Sequence, residues 1–145
     1  MMDIALEKSY QQLEQLSSID ALTQVYNRRK ISEILDREIE LSQRYDNQLA
    51  LILFDIDDFK KINDTVGHNE GDKVLQILTK KIKASLRKSD YISRWGGEEF
   101  IIVLPEIDLK NAKIISEKIR QLVESMHYSI VNNLSYSFGV ALFDK

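Results

Sequence analysis

The sequence predicts an α+β fold with a mostly antiparallel central β-sheet flanked by helices, and three observations carry that expectation. The run Leu49-Ala50-Leu51-Ile52-Leu53-Phe54 is apolar throughout, so it reads as a central strand covered on both faces. Residues 91–95 and 100–104 read as two strands around Gly96-Gly97, a two-residue hairpin signal because both positions tolerate positive φ. The remaining segments carry apolar residues at helical spacing, giving the order helix, strand, helix pair, hairpin, helix, strand.

With 145 residues, 43% of them hydrophobic and 30% charged, the chain has enough apolar content for one globular core. A net charge of -3 argues against broad binding to nucleic acid or anionic membranes. There is no cysteine, so neither a disulfide nor a thiolate metal site is possible. No basic-then-apolar leader and no stretch of about 18 apolar residues is present, which predicts a soluble, cytoplasmic segment without direct membrane insertion.

Residues 5–17 place Leu6, Tyr10, Leu13 and Leu16 on one helical face, with Glu7, Lys8, Gln11, Gln12 and Glu14 elsewhere. About two heptads suit either a helix packed on its own domain or the end of a coiled stalk. After a loop over 20–27, Asn27 is placed to cap a helix over 28–45, with Ile31, Ile34, Leu35, Ile39 and Leu41 facing the core. The strand over 49–56 ends in Asp55-Ile56-Asp57, and Asp57 or Asp58 is placed to cap a short helix over 59–66, which Gly67 stops. A turn from Gly67 to Gly71 precedes a helix over 70–87, with Val74, Leu75, Leu78, Ile82 and Leu86 at core spacing. Lys80, Lys81, Lys83, Arg87 and Lys88 form a mostly solvated face. Pro105 closes the second hairpin strand. Asp108 is placed to cap a helix over 109–126 that turns Leu109, Ala112, Ile115, Ile119, Leu122 and Met126 inward. Residues 134–141 alternate as a half-buried strand should. His68 and His127 have no partner at metal-ligand spacing and read as structural or surface residues.

The chemistry gathers at two places. Asp55 lies at a strand end, and Glu98 and Glu99 follow Gly96-Gly97 at the hairpin. Carboxylates there are hard oxygen ligands suited to Mg²⁺. Glycine in such a turn also lets backbone approach a bulky anionic ligand. The bland reading is an exposed turn with solvated acids and a helix cap, which accounts for Asp57 or Asp58 but leaves Asp55 unexplained.

Several spaced motifs agree in order. Asp20-Ala21-Leu22-Thr23 with Asn27-Arg28-Arg29, then Phe54-Asp55-Ile56-Asp57-Asp58-Phe59-Lys60-Lys61-Ile62-Asn63-Asp64 with Gly67-His68 and Gly71-Asp72, then Gly96-Gly97-Glu98-Glu99-Phe100, resemble the GGDEF family of diguanylate cyclases. The resemblance runs from Asp20 to about Ala141, and the family's loop tolerates Glu at the position of Glu98. It implies a palm-like, ferredoxin-like core and the condensation of two GTP into cyclic di-GMP with release of two pyrophosphates. It implies catalysis through Gly96, Gly97, Glu98, Glu99 and Asp55, with Mg²⁺ or Mn²⁺ held by Asp55, Glu98 and the Ile56 carbonyl. It implies GTP contacts through Asn63, Asp72, Lys60, Asp58, Phe59 and Leu75, with Leu22 shaping the nucleotide pocket. The first turn of the helix over 59–66 can hold phosphate oxygens, and Lys60 adds a point charge. Asp72 with Asn63 would select guanine, whose N1-H and N2-H₂ suit a carboxylate.

Arg87 and Asp90 match the family's RxxD inhibitory site for the product, cyclic di-GMP, since an arginine fork can bind guanine O6 and N7. A helix-end ion pair is the bland alternative. Lys118 stands where many relatives carry a second arginine, and lysine cannot form that fork, which predicts weaker feedback. The resemblance further implies a two-fold homodimer, an upstream sensory or receiver domain joined through residues 1–19, and a cyclase domain over 20–145 without the family's final helix and strand. The alternatives are a non-catalytic module binding GTP or cyclic di-GMP, an inactive cyclase fragment, and a purely structural dimerisation piece.

Overall fold

The computed structural model describes residues 4–126 and 134–143. Its elements are α1 (Ile4–Leu16), α2 (Arg28–Tyr45), β1 (Leu49–Ile56), α3 (Phe59–Val66), α4 (His68–Ser85), β2 (Tyr91–Gly96), β3 (Glu99–Pro105), α5 (Leu109–Glu124) and β4 (Tyr136–Phe143). His127 lies outside the described residues.

The four strands form one sheet in the order β2-β3-β1-β4, and every pairing among them is antiparallel. With helices between β1 and β2 and between β3 and β4, this is the ferredoxin-like, palm-type arrangement. The apolar β1 takes the centre, as its composition requires, with Asp55 opposite Glu99 on one side and Ser137 on the other. Ala50, Ile52, Phe54 and Ile56 turn to one face and pack with Val74, Leu75, Leu78 and Ile82 of α4 and Ala112, Ile119 and Val123 of α5. On the opposite face Leu49 and Val103 pack under Ile31 and Ile34 of α2. That cover stops short: Leu53 is 44% exposed, so β1 is not covered on both faces at its Asp55 end.

The starts of α2 and α5 follow the capping chemistry. Asn27 Oδ1 accepts from Lys30 N at 2.9 Å, and Asp108 Oδ1 accepts from Asn111 N at 2.8 Å. Gly67 ends α3 at φ 90° with its N–H donating to Asn63 O. Three expected core residues lie elsewhere. Leu41 and Leu109 are exposed at 37% and 36%, because each falls at the edge of its helix's apolar stripe. On α5 it is Val123, not its neighbour Leu122, that is fully buried. In α1 the apolar Ile4, Leu6 and Leu13 all face solvent, so these residues do not pack on the domain.

Candidate active site

The strand pairing brings the acids together. Asp55 and Glu99 are register partners across β1 and β3, and the Gly97-Glu98 turn joins β3 to β2 beside them. Asp55 Oδ1 is buried with no hydrogen-bond partner among the described residues. Burial, then the charges of Asp57, Glu98 and Glu99, hold the Asp55 carboxyl above its ordinary value of 3.8. An orphaned carboxylate oxygen inside a cluster of like charges is the environment a divalent cation relieves, so the donor set fits Mg²⁺. Among the described residues no three acidic or histidine side chains converge into a ready-made metal cage. The set read from the sequence is two carboxylates and one backbone carbonyl, Ile56 O. A cavity of about 570 Å³ opens beside the cluster, lined by Leu53, Asp55, Trp95, Glu99, Ser137 and Gly139 among others.

The hairpin corrects one expectation. Neither Gly96 nor Gly97 adopts the left-handed region, and the turn positions are Gly97 and Glu98, with a bulge between Arg94 and Gly96. A Cβ on Gly97 would meet nothing within 4 Å. Backbone strain therefore does not require these glycines.

The β1–α3 turn corrects another. Asp58 occupies the cap position at φ 55° but makes no side-chain cap bond, and Asp57 makes none either. The Asp57 carboxylate instead accepts from Ser137 Oγ at 2.6 Å and Ser135 Oγ at 3.0 Å, while its N–H donates to Ser135 O. The first turn of α3 is thus left without a side-chain cap, and Lys60 within it is exposed. Phe59 and Leu75 are buried at 6% and 1% in the core beneath, whereas Asn63 and Asp72 are half-buried. Gly71 lies within α4 and not in a turn. Gln76 Nε2 donates to Leu22 O at 3.1 Å, which ties the 20–27 loop to α4.

Two contributors escaped the sequence reading. Arg94 donates from Nε to Gly97 O at 2.9 Å and reaches Asp20 Oδ2 from Nη1 at 3.4 Å, joining the hairpin turn to the loop after α1. Burial raises the Asp20 pKa, but bonds from Thr23 and the Arg94 charge outweigh it and hold the carboxyl below its ordinary value. The pairing of Asp57 with the two serines is the second. Only their alternation on one strand face hinted at a common direction.

Arg87 lies beyond α4, not in it. Its Nε and Nη2 grip Asp90, with Nη2 to Oδ1 at 2.7 Å, and Nη2 also donates to Pro105 O at 2.9 Å. The Asp90 side chain is 1% exposed and accepts from Arg87 N as well, so its carboxylate serves the turn and Arg87. Nearby lies a cleft of about 370 Å³ between the 19–26 loop and the start of β2. Lys118 is exposed on α5.

A ferredoxin-like α+β domain with clustered carboxylates at the end of its central strand, beside a glycine hairpin, is of the palm class. Residues 17–145 match the family model described as "Diguanylate cyclase, GGDEF domain". The chain is 40% identical over 130 residues to diguanylate cyclase DosC of Escherichia coli K12, covering 87% of this chain and 28% of that protein. It resembles the GGDEF domain of DgcB from Caulobacter crescentus in complex with c-di-GMP, with TM-score 0.80 and 30% identity over 88% of this chain and 76% of that one. It resembles the active GGEEF domain of a Vibrio cholerae diguanylate cyclase at TM-score 0.79 and 34% identity, over 84% and 79% of the two chains. This chain belongs to the GGDEF diguanylate cyclase family, while spanning only 28% of the length of a curated relative such as DosC.

Proposed function

We propose that this domain condenses two GTP into cyclic di-GMP, with Mg²⁺ or Mn²⁺ held by Asp55, Glu98 and the Ile56 carbonyl. The observation that carries the reading is the orphaned Asp55 oxygen among Asp57, Glu98 and Glu99 beside the hairpin turn. The ion, when bound, lowers the cost of ionising the attacking ribose 3′-hydroxyl and offsets charge on the departing pyrophosphate. The 3′-oxygen of one GTP bonds to the α-phosphorus of another as the bond to pyrophosphate breaks, and Glu99 is placed to take the hydroxyl proton. The open first turn of α3 and Lys60 bind phosphate oxygens. Asn63 and Asp72 hold the guanine, above a floor that includes Phe59 and Leu75.

Each domain presents one such site, so ring closure needs two copies facing across a two-fold axis. The exposed apolar residues of α1 suit that helix to pairing and to carrying a signal from an upstream sensory or receiver domain. Cyclic di-GMP binding at Arg87 would feed back on the reaction. The test is GTP turnover at rising protein concentration with both products quantified. Two pyrophosphates per cyclic di-GMP and a specific activity that climbs with concentration are expected. GTP binding without either product makes the domain a binding module instead.

A further inference from the structure

We infer that Gly71 is a specificity-determining residue, because the notch left by its missing side chain holds the Asn63 amide in the orientation that reads the base. The inference rests on the proposed role of Asn63 and Asp72. Gly71 is buried inside α4 and has no left-handed φ, so no backbone freedom is being used there. A helix interior favours alanine over glycine. The physical reason for glycine is Asn63. A Cβ on Gly71 would stand 1.8 Å from Asn63 Oδ1, 3.0 Å from Asn63 Cγ and 3.3 Å from Phe59 Cζ. Even a methyl group would force the amide out of its place.

The orientation matters chemically. Asn63 Oδ1 is buried with no hydrogen-bond partner among the described residues, and it sits in the space a Gly71 Cβ would occupy. With the carbonyl oxygen in the notch, the amide Nδ2 is directed away from Gly71, and Nδ2 is a pure donor. Asp72, next in the chain, is an acceptor. A donor beside a carboxylate acceptor matches the guanine edge, where O6 accepts and N1-H and N2-H₂ donate. Adenine offers a donor at N6 and an acceptor at N1, the reverse order. Asp72 alone would accept from adenine N6, so the donor held by Gly71 completes the choice.

The experiment is calorimetric titration of GTP and of ATP, with chelator present to prevent turnover, into the unaltered chain, Gly71→Ala, Asn63→Ala and the double variant. Gly71→Ala is expected to lose on the order of ten-fold in GTP affinity, the scale of one hydrogen bond, with ATP affinity unchanged. In the Asn63→Ala background the clash with Oδ1 is gone and only the Phe59 ring edge, 3.3 Å from the added methyl, has to give by a few tenths of an ångström, so the double variant should bind GTP no worse than Asn63→Ala and melt at a higher temperature. Full guanine preference in Gly71→Ala, or additive losses in the double variant, overturns the inference while leaving the base contacts standing. Equal affinity of the unaltered chain for GTP and ATP overturns the base contacts and the inference together. Where Gly71→Ala alone does not fold, the double variant against Asn63→Ala decides: melting above it supports the notch, and melting at or below it overturns it.

Discussion

Asp55 is strained electrostatically by the company it keeps. Its raised pKa means that the folded state binds its proton more tightly than the unfolded chain does, so its favourable contribution is complete below the unfolded value of 3.8 and is lost as pH rises through the folded one. At neutral pH without metal, the ionised carboxylate destabilises the fold. Asp55→Asn is therefore expected to raise the metal-free melting temperature at pH 7. That gain should shrink toward pH 4, and a calorimetric melt showing a loss at pH 7 would contradict it. Asp20 behaves oppositely. Its lowered pKa gives stability that is present above 3.8 and fades as pH falls through the folded value. At this scale the sequence was half legible. Asp55, Glu98 and Glu99 could be marked from their place at a strand end and a turn. Asp57 could not, because its serine partners lie 78 and 80 residues further along the chain.

The elements were legible wherever local chemistry sets them. Asn27 and Asp108 cap α2 and α5 because a short polar side chain can reach the orphan N–H groups of a first turn. Asn27→Ala and Asp108→Ala should each cost about 1 kcal/mol, with additive losses because the two caps share no partner. Urea midpoints of the single and double variants check this, and a loss confined to one of them would show that the other helix is held by packing alone. Where tertiary context decides, local signals misled. Gly96-Gly97 reads as a turn needing positive φ, yet the bulge after Arg94 and the Arg94 bond to Gly97 O shape that hairpin without it. Gly67-to-Gly71 reads as one turn, but only Gly67 breaks the helix, and Gly71 continues it beside Asn63. The apolar run of β1 reads as doubly covered because composition cannot report how far α2 extends over the sheet, and Leu53 marks where it ends.

For the molecule as a whole, the sheet order puts the Asp55, Glu98 and Glu99 carboxylates, the start of α3 and Asn63 with Asp72 at one end, and Arg87 with its cleft in another quarter. Feedback through Arg87 would then be separable from the chemistry. Arg87→Ala should leave initial rates at low product unchanged and relieve inhibition by added cyclic di-GMP, whereas an equal fall in rate without product would make Arg87 a structural residue of the α4–β2 turn. The claim on which all of this depends is that Asp55 and Glu98 together hold the ion that drives GTP condensation. Its most direct test is the Mg²⁺ dependence of cyclic di-GMP formation by the unaltered chain, Asp55→Asn and Glu98→Ala under matched conditions. Saturable Mg²⁺ activation is expected in the first, and a loss of at least about 10²-fold in both variants at every Mg²⁺ concentration. Full turnover by either variant would contradict it.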